Sequence, residues 1–232
     1  ILFSYDKYLK SIQDEIEPNS IITRLIPIGK DGLKINSMNP TGASYLQDFS
    51  YWMQPFQRDT NKNVLRSSYW LSDSVCNALL DYGELVNSKQ SEYDALLTNY
   101  NNLQSQLTAK NKEIEDITNQ ITETKASLDM NQTQGEDASA NLQQLATLET
   151  QLNTLISEKA IIESDISTLQ ISIDSIHSQL AFENNFTREQ IEELSPFVNT
   201  TKWENSNIST VEDLVKESKE YFSEINQVQP II

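Results

Sequence analysis

An apolar residue recurs every seven positions along fifty residues of this chain: Leu79, Val86, Tyr93, Tyr100, Leu107, Ile114, Ile121 and Leu128. A companion series stands three residues further on, at Tyr82, Lys89, Leu96, Leu103, Lys110, Ile117 and Thr124. Sustained over so many repeats, this a/d pattern specifies a coiled coil, because only a helix that keeps one seam against a partner needs it. The rhythm resumes as Leu145, Leu152, Lys159, Ile166, Ile173 and Leu180, with Leu148, Leu155, Ile162, Leu169 and Ile176 as companions. Between the two runs the step from Leu128 to Leu145 is seventeen, which is no multiple of seven.

Two geometries compete for that break. One continuous helix can pass through with a shifted phase and pair in parallel with other copies. Alternatively, the chain turns back into an antiparallel hairpin. Residues 129–141 favour the hairpin. They hold no Leu, Ile, Val or aromatic side chain, and they contain Gly135 among Asn, Gln, Thr, Glu, Asp and Ser, which is loop composition. Asp137 suits the cap of a returning helix. A tip near 129–140 makes facing residue numbers sum to about 269, so Ile121 meets Leu148, Ile114 meets Leu155 and Tyr93 meets Ile176. That register also sets Lys110 opposite Lys159, two like charges in one layer, with Glu113 and Glu163 in reach to draw them outward. At ~1.5 Å per residue each run spans about 70–80 Å.

The flanks read differently. "IITRLIPIG" and "LKINSM" are β-rich and separated by "KDG", which predicts a hairpin. "MNPTG" is a turn, "YLQDFSYWMQPF" supplies aromatics for a small core, and "VLRSSYWL" is a further short strand. Tyr51, Trp52, Phe56, Tyr69 and Trp70 are expected in that core or at a subunit interface. Ser72 is a suitable N-cap for the first long helix. After Glu183, Thr187 and Gln190 form a capping box, and Phe186 with Ile191 has staple spacing. Pro196 disfavours helix at Ser195 and should stop that element. "VNTTKWENSN" is loop or short strand. A last helix is expected from about Ser209, with Glu212 as box partner and Val211, Leu214, Val215, Ser218, Phe222 and Ile225 on one face. The fold class is therefore mainly α: a long antiparallel coiled-coil hairpin inserted in a small mixed α/β base. Residues 1–71 form a β-containing base segment, 72–185 the hairpin, and 186–232 a helical return segment that packs on the base.

Charge narrows the partners. The net charge of −17 repels phosphate, which argues against nucleic acid and anionic membranes. No apolar run approaches the ~18 residues of a membrane span. A single cysteine, Cys76, excludes an internal disulfide framework and fits assembly in a reducing cytoplasm. "ILFSYDKYLK" has neither a basic start nor an initiating Met, and "QVQPII" reads like the opening of a strand cut short, so the chain is expected to be a fragment of a larger one.

Catalytic chemistry finds no foothold. His177, the only histidine, falls at a position expected to face solvent, so neither a triad nor a metal site can be built on it. Asp129, Asn131, Thr133 and Gly135 hint at a calcium loop, but that pattern needs Gly at its sixth position and Glu at its twelfth, where Gln134 and Ala140 stand. There is no phosphate-binding Gly-rich loop. The glycosylation-like triplets, "NFT" for example, follow from abundant Asn, Ser and Thr. No catalytic, cofactor-binding or metal-ligating residue is assigned, and no cofactor is expected.

"IITRLIPIGKDGLKINSMNPTGASYLQDFSYW" resembles the N-terminal hub region of siphophage tail-tip proteins, the tail-associated, minor structural or prophage endopeptidase tail proteins of phages that infect Gram-positive bacteria. "SYWLSDSVCNALLDYGELVNSKQSEYDALL" is similar to the entry of the helical arm many of them carry, and "FTREQIEELSPFVNTTKWENSNIS" to the segment after it. The resemblance covers both flanks and the first part of the arm. It implies a virion protein at the distal tail end, assembled in the bacterial cytoplasm, trimeric at full length and bound to other tail or baseplate proteins. The arm would brace neighbouring subunits or reach towards a host-surface receptor. Some members carry a peptidoglycan-cleaving domain, to which nothing here corresponds. The competing readings are a host coiled-coil scaffold that binds a partner helix and a fragment of a cell-wall enzyme.

Overall fold

A computed structural model describes residues 21–226; the expected strand at "QVQPII" and the chain start "ILFSYDKYLK" lie outside the described residues. The chain divides into two compact units, Ile1–Ser88 with Gln179–Ile232, and Lys89–Ser178.

In the first unit, strand β1 (Arg24–Ile28) sits between β2 (Leu46–Gln47) and β5 (Thr200–Glu204). It pairs antiparallel with β2 and parallel with β5, from Arg24 opposite Thr200 to Ile28 opposite Glu204. β2 reaches only Arg24 and Leu25, so Pro27, which has no N–H to donate, lies beyond that ladder. The expected hairpin across "KDG" does not form. Both flanks of β1 are already occupied, and residues 30–32 coil into a single 3-10 turn closed by Gly29 N–H to Leu33 O at 2.9 Å. "LKINSM" is not a strand: Ile35 is buried and its carbonyl accepts from both Met38 and Asn39. The turn expected at "MNPTG" is present, with Gly42 N–H bonded to Asn39 O and Gly42 at φ +70.

A second ribbon pairs β3 (Gln57–Arg58) with β4 (Val64–Arg66), inside the segment read as a short strand. Arg58, its side chain 8% exposed, reaches from this ribbon to Asp81 (2.6 Å) and Glu84 (2.8 Å) of helix α1 (Asp73–Gln134). Hydrogen bonds from Arg58 and Lys62 draw the Asp81 carboxyl below its usual range, against the opposing effect of burial.

Ile21, Phe49, Trp52, Leu71, Val75, Cys76, Phe186 and Leu194 make one core cluster, with Tyr51 and Phe56 packed on it. Tyr69 and Trp70 differ from the others: they are 71% and 41% exposed and lie over the cluster as rim, Trp70 stacked on Tyr51. Burial among these apolar groups lifts the Cys76 thiol to about 11. Helix α5 (Val211–Ile225) lays Leu214, Ser218 and Phe222 inward, with Val211, Val215 and Ile225 half-buried beside them. Its cap is Thr210, one residue after the expected Ser209, because the Thr210 hydroxyl accepts from Asp213 N–H. The box at Thr187 and Gln190 closes helix α4 (Arg188–Leu194) as expected. Pro196 does not end helicity at Ser195. That residue keeps helical angles (φ −52, ψ −42), and Ser195–Phe197 tightens into a 3-10 turn with Pro in its first turn, where no N–H is needed.

Thr23 ties the two ends of this unit together. Its hydroxyl donates to Phe197 O at 2.7 Å and accepts from Asn199 N–H at 2.8 Å, and the residue is fully buried. Thr23→Val keeps the shape and removes both of these buried hydrogen bonds, so it should lower stability by about 1–3 kcal/mol. Urea unfolding followed by tryptophan fluorescence checks this; an unchanged midpoint would remove Thr23 from the account.

Candidate functional site in the helical hairpin

Helix α2 (Ser139–Leu180) returns alongside α1. Four side-chain contacts establish direction: Tyr93 with His177, Lys110 with Glu158, Lys125 with Glu149, and Asn131 with Asn141. As the number rises on α1 its partner falls on α2, so the pair is antiparallel. The sums run from 268 to 274 (110 + 158 and 125 + 149), in line with the register read from the heptads.

The tip is tighter than its composition suggests. α1 continues through Gln134, so residues 129–134, expected in the loop, are helical, and the turn is only 135–138. Glu136 N–H bonds Asn131 O and Gly135 N–H bonds Gln132 O, with Gly135 left-handed at φ +74. This is a Schellman end, and glycine is the residue that adopts such a φ without Cβ strain. Asp137 then accepts from Ser139 N–H at 2.9 Å and opens α2. Because Asp129–Gln134 is helix, the faint calcium-loop pattern has no loop to sit in. Among the described residues no group of three acidic, histidine or cysteine side chains is placed to hold a metal ion.

Along the seam, burial follows the heptads. Tyr93, Ile173 and Ile176 are buried at one end, and Ile121, Thr124 and Leu148 at the other. In between, Lys110 and Lys159 are partly buried, as the register requires. Lys110 is neutralised by Glu113 (2.7 Å) on its own helix and Glu158 (3.0 Å) across the seam; Lys159 leans to Glu163 (3.6 Å). The sequence pointed to Glu113 and Glu163 and missed Glu158. A groove of about 400 Å³ beside Ile117 and Leu155 is bordered by Glu113, Asp116, Thr150 and Thr154. It is the open flank of a heptad layer, and no set of acid, base and nucleophile converges there. Leu142, Ile156, Ile161 and Ile171 are exposed, but they fall on three different heptad positions and make no continuous stripe.

His177 does not face solvent as expected. Its position flanks the seam, the ring is half-buried, and Nε2 lies 3.1 Å from the Tyr93 hydroxyl. Burial lifts that hydroxyl to about 12 and pushes the imidazole below its ordinary value, with Asp174 opposing the latter shift. The pair is a hydrogen bond at the edge of the seam.

Where the helices enter and leave the first unit, polar and aromatic contacts fasten them. Ser72 caps α1 as expected, its Oγ accepting from Val75 N–H. Glu193 of α4 accepts from both Ser72 N–H (2.6 Å) and Ser72 Oγ–H (2.8 Å), which brings negative charge to a helix N-terminus. Gln190 donates to Ser74 Oγ, and Tyr82 donates its hydroxyl to Leu180 O at 2.8 Å. Phe182, which opens the short helix α3 (Phe182–Asn185), stacks on Phe186 at 4.1 Å, and both meet the edge of Tyr82. These side chains hold the helices in place.

No family model matches the chain, and no solved structure matches it. Over 114 residues, 49% of its length, it is 43% identical to the SPbeta prophage-derived uncharacterized protein YomG of Bacillus subtilis (strain 168). The matched segment spans 13% of that protein's length. The similarity supports a prophage origin for the chain.

Two outcomes follow from the seam. Lys110→Leu with Lys159→Leu converts a charged layer to an apolar one and should raise the melting temperature by at least about 2 °C; a drop in calorimetry would mean the two residues do not share a layer. Folding holds His177 below its ordinary pKa of 6.5, so the stability it contributes is complete above that value and is lost as pH falls through the lower folded-state value. With one histidine in the chain, His177→Gln should flatten the change in melting temperature between about pH 7.5 and about pH 5.5. An unaltered slope would assign it to other groups.

Proposed function

We propose that this chain is a structural component of a phage tail tip or baseplate hub, and that its helical hairpin is an arm for assembly or host-surface contact. The observation that carries the proposal is the antiparallel seam. Two long helices bury their apolar residues against one another along one narrow seam. Such a rod transmits position and force. The prophage-derived relative supports a phage setting, and the resemblance of both flanks to tail-tip hubs supports the finer assignment. In this reading the full-length protein assembles as a trimer in the bacterial cytoplasm, contacts other tail proteins and ends in the virion. It is not an enzyme in this region, and it binds neither nucleic acid nor membrane, consistent with its charge of −17.

The test is immunogold electron microscopy on density-purified particles from an induced lysogen that encodes the chain, with antibodies raised to residues 89–178. Label confined to one end of the tail is the expected result. Protein found in the lysate but missing from washed particles would overturn the assignment and return the chain to the host-scaffold alternative.

A further inference from the structure

Helix α1 contains one glycine, Gly83, and its surroundings do not call for one. It lies inside continuous helix, and a Cβ added there would meet no atom of the surrounding structure within 4 Å. Alanine would fit and would hold the helix better, because glycine has more backbone freedom to lose. The returning helix is interrupted at the same level. α2 stops at Leu180, Ala181 leaves the helical region (φ −59, ψ 131), and α3 begins at Phe182. The bond from the Tyr82 hydroxyl to Leu180 O sets the two irregularities side by side. All of these residues belong to the first unit, which α1 leaves after Ser88 and the chain re-enters at Gln179.

The interruption of α2 is built without a continuing ladder. Asn185 Nδ2 donates to Gln179 O and to Ala181 O, both at 2.8 Å, so side chains take the carbonyls that the helix end leaves open. Around them the rings of Tyr82, Phe182 and Phe186 make apolar contacts, which do not fix a direction as a backbone ladder does. Two packed helices resist bending because one must shorten as the other lengthens, and they yield first where both ladders are weak at one level. One contact opposes bending here. Arg58 reaches across the glycine, to Asp81 before it and to Glu84 after it. We propose that Gly83 and Ala181 form a hinge at the root of the helical hairpin, with Arg58 as the clasp that holds it straight. The Glu84 half of the clasp is the more exposed, so salt screens it first. The inference concerns motion of the purified chain and does not rest on the tail-tip reading, which particle labelling tests separately.

The test is pulsed electron–electron double resonance on the full chain, spin-labelled at introduced cysteines in a Cys76→Ala background. One pair, Glu192→Cys with Asn101→Cys, spans the hinge. A reference pair, Asn101→Cys with Asp116→Cys, lies beyond it on one stretch of α1. The distance distribution across the hinge should be at least about twice as wide as that of the reference pair. Gly83→Ala should narrow it by about a third or more. Glu84→Gln, a surface change that leaves the fold intact, should widen it, and so should about 0.5 M salt. Asn119→Ala, an alanine placed beyond both labels, should leave it unchanged. Equal widths for the two pairs, no narrowing in Gly83→Ala, the same narrowing in Asn119→Ala, or no widening when the clasp is released would each overturn the proposal.

Discussion

The pairing of β1 with β5 is the constraint on which the first unit depends, because it joins residues on either side of the whole hairpin. Thr23 meets Asn199 across a separation of 176 residues. Parallel strands always need a crossover, usually a single helix. Here the crossover contains an entire helical pair. Closing a flexible loop of that length instead of one of about 20 residues would cost about 2 kcal/mol more in chain entropy, and the cost is avoided if intermediate contacts form first. The structure supplies them in a nested series: Asn131 to Asn141 at a separation of 10, Lys125 to Glu149 at 24, Lys110 to Glu158 at 48, Tyr93 to His177 at 84, Tyr82 to Leu180 at 98, Gln190 to Ser74 at 116, and Ser72 to Glu193 at 121. Each contact leaves only a short further loop for the next to close. The hairpin is thus an insertion that brings its own ends back together, and the small sheet need not search a long coil for its third strand.

The heptads were legible because coiled-coil packing is local and periodic, so two side chains in seven report directly on the seam. The capping residues Ser72 and Thr187 were legible for a similar reason, since each acts within three or four residues of itself. Sheet partners were not. Nothing in "LKINSM" distinguishes a second hairpin strand from a bend that buries Ile35, and the choice was made by β5, a segment more than 160 residues away. The tip misled in an instructive way. Residues 129–134 are polar, which reads as loop, yet Asn131 and Asn141 stand at heptad positions and close the last layer with a side-chain hydrogen bond at 3.1 Å. Apolar content marked where the seam is dry, and the helix ran one turn further than that.

His177 shows a related limit. A position beside the seam is neither core nor surface by period alone, and its burial depends on which residue crosses from the other helix. Tyr93 is large enough to cover it, so the imidazole ends half-enclosed. No single-residue feature of the sequence announces that. The pairing register does, once Tyr93 is set against Ile176 and its neighbour.

Stability along the second unit is uneven, and the unevenness follows from which layers are apolar. Buried residues gather at its two ends, around Tyr93 with Ile173 and Ile176, and around Ile121 with Leu148. Between them stands the Lys110 and Lys159 layer, held by surface ion pairs that contribute little and are screened by salt. Local opening costs least where few apolar contacts are broken, so the middle of the rod is its softest section and salt softens it further. Two lysines in one layer give up apolar contact that leucine would provide. In exchange, they disfavour register slips, since a shift of one heptad would set each lysine against leucine or isoleucine and bury its charge without a facing acid. The charged layer therefore lowers stiffness at one point while holding the helices to a single alignment.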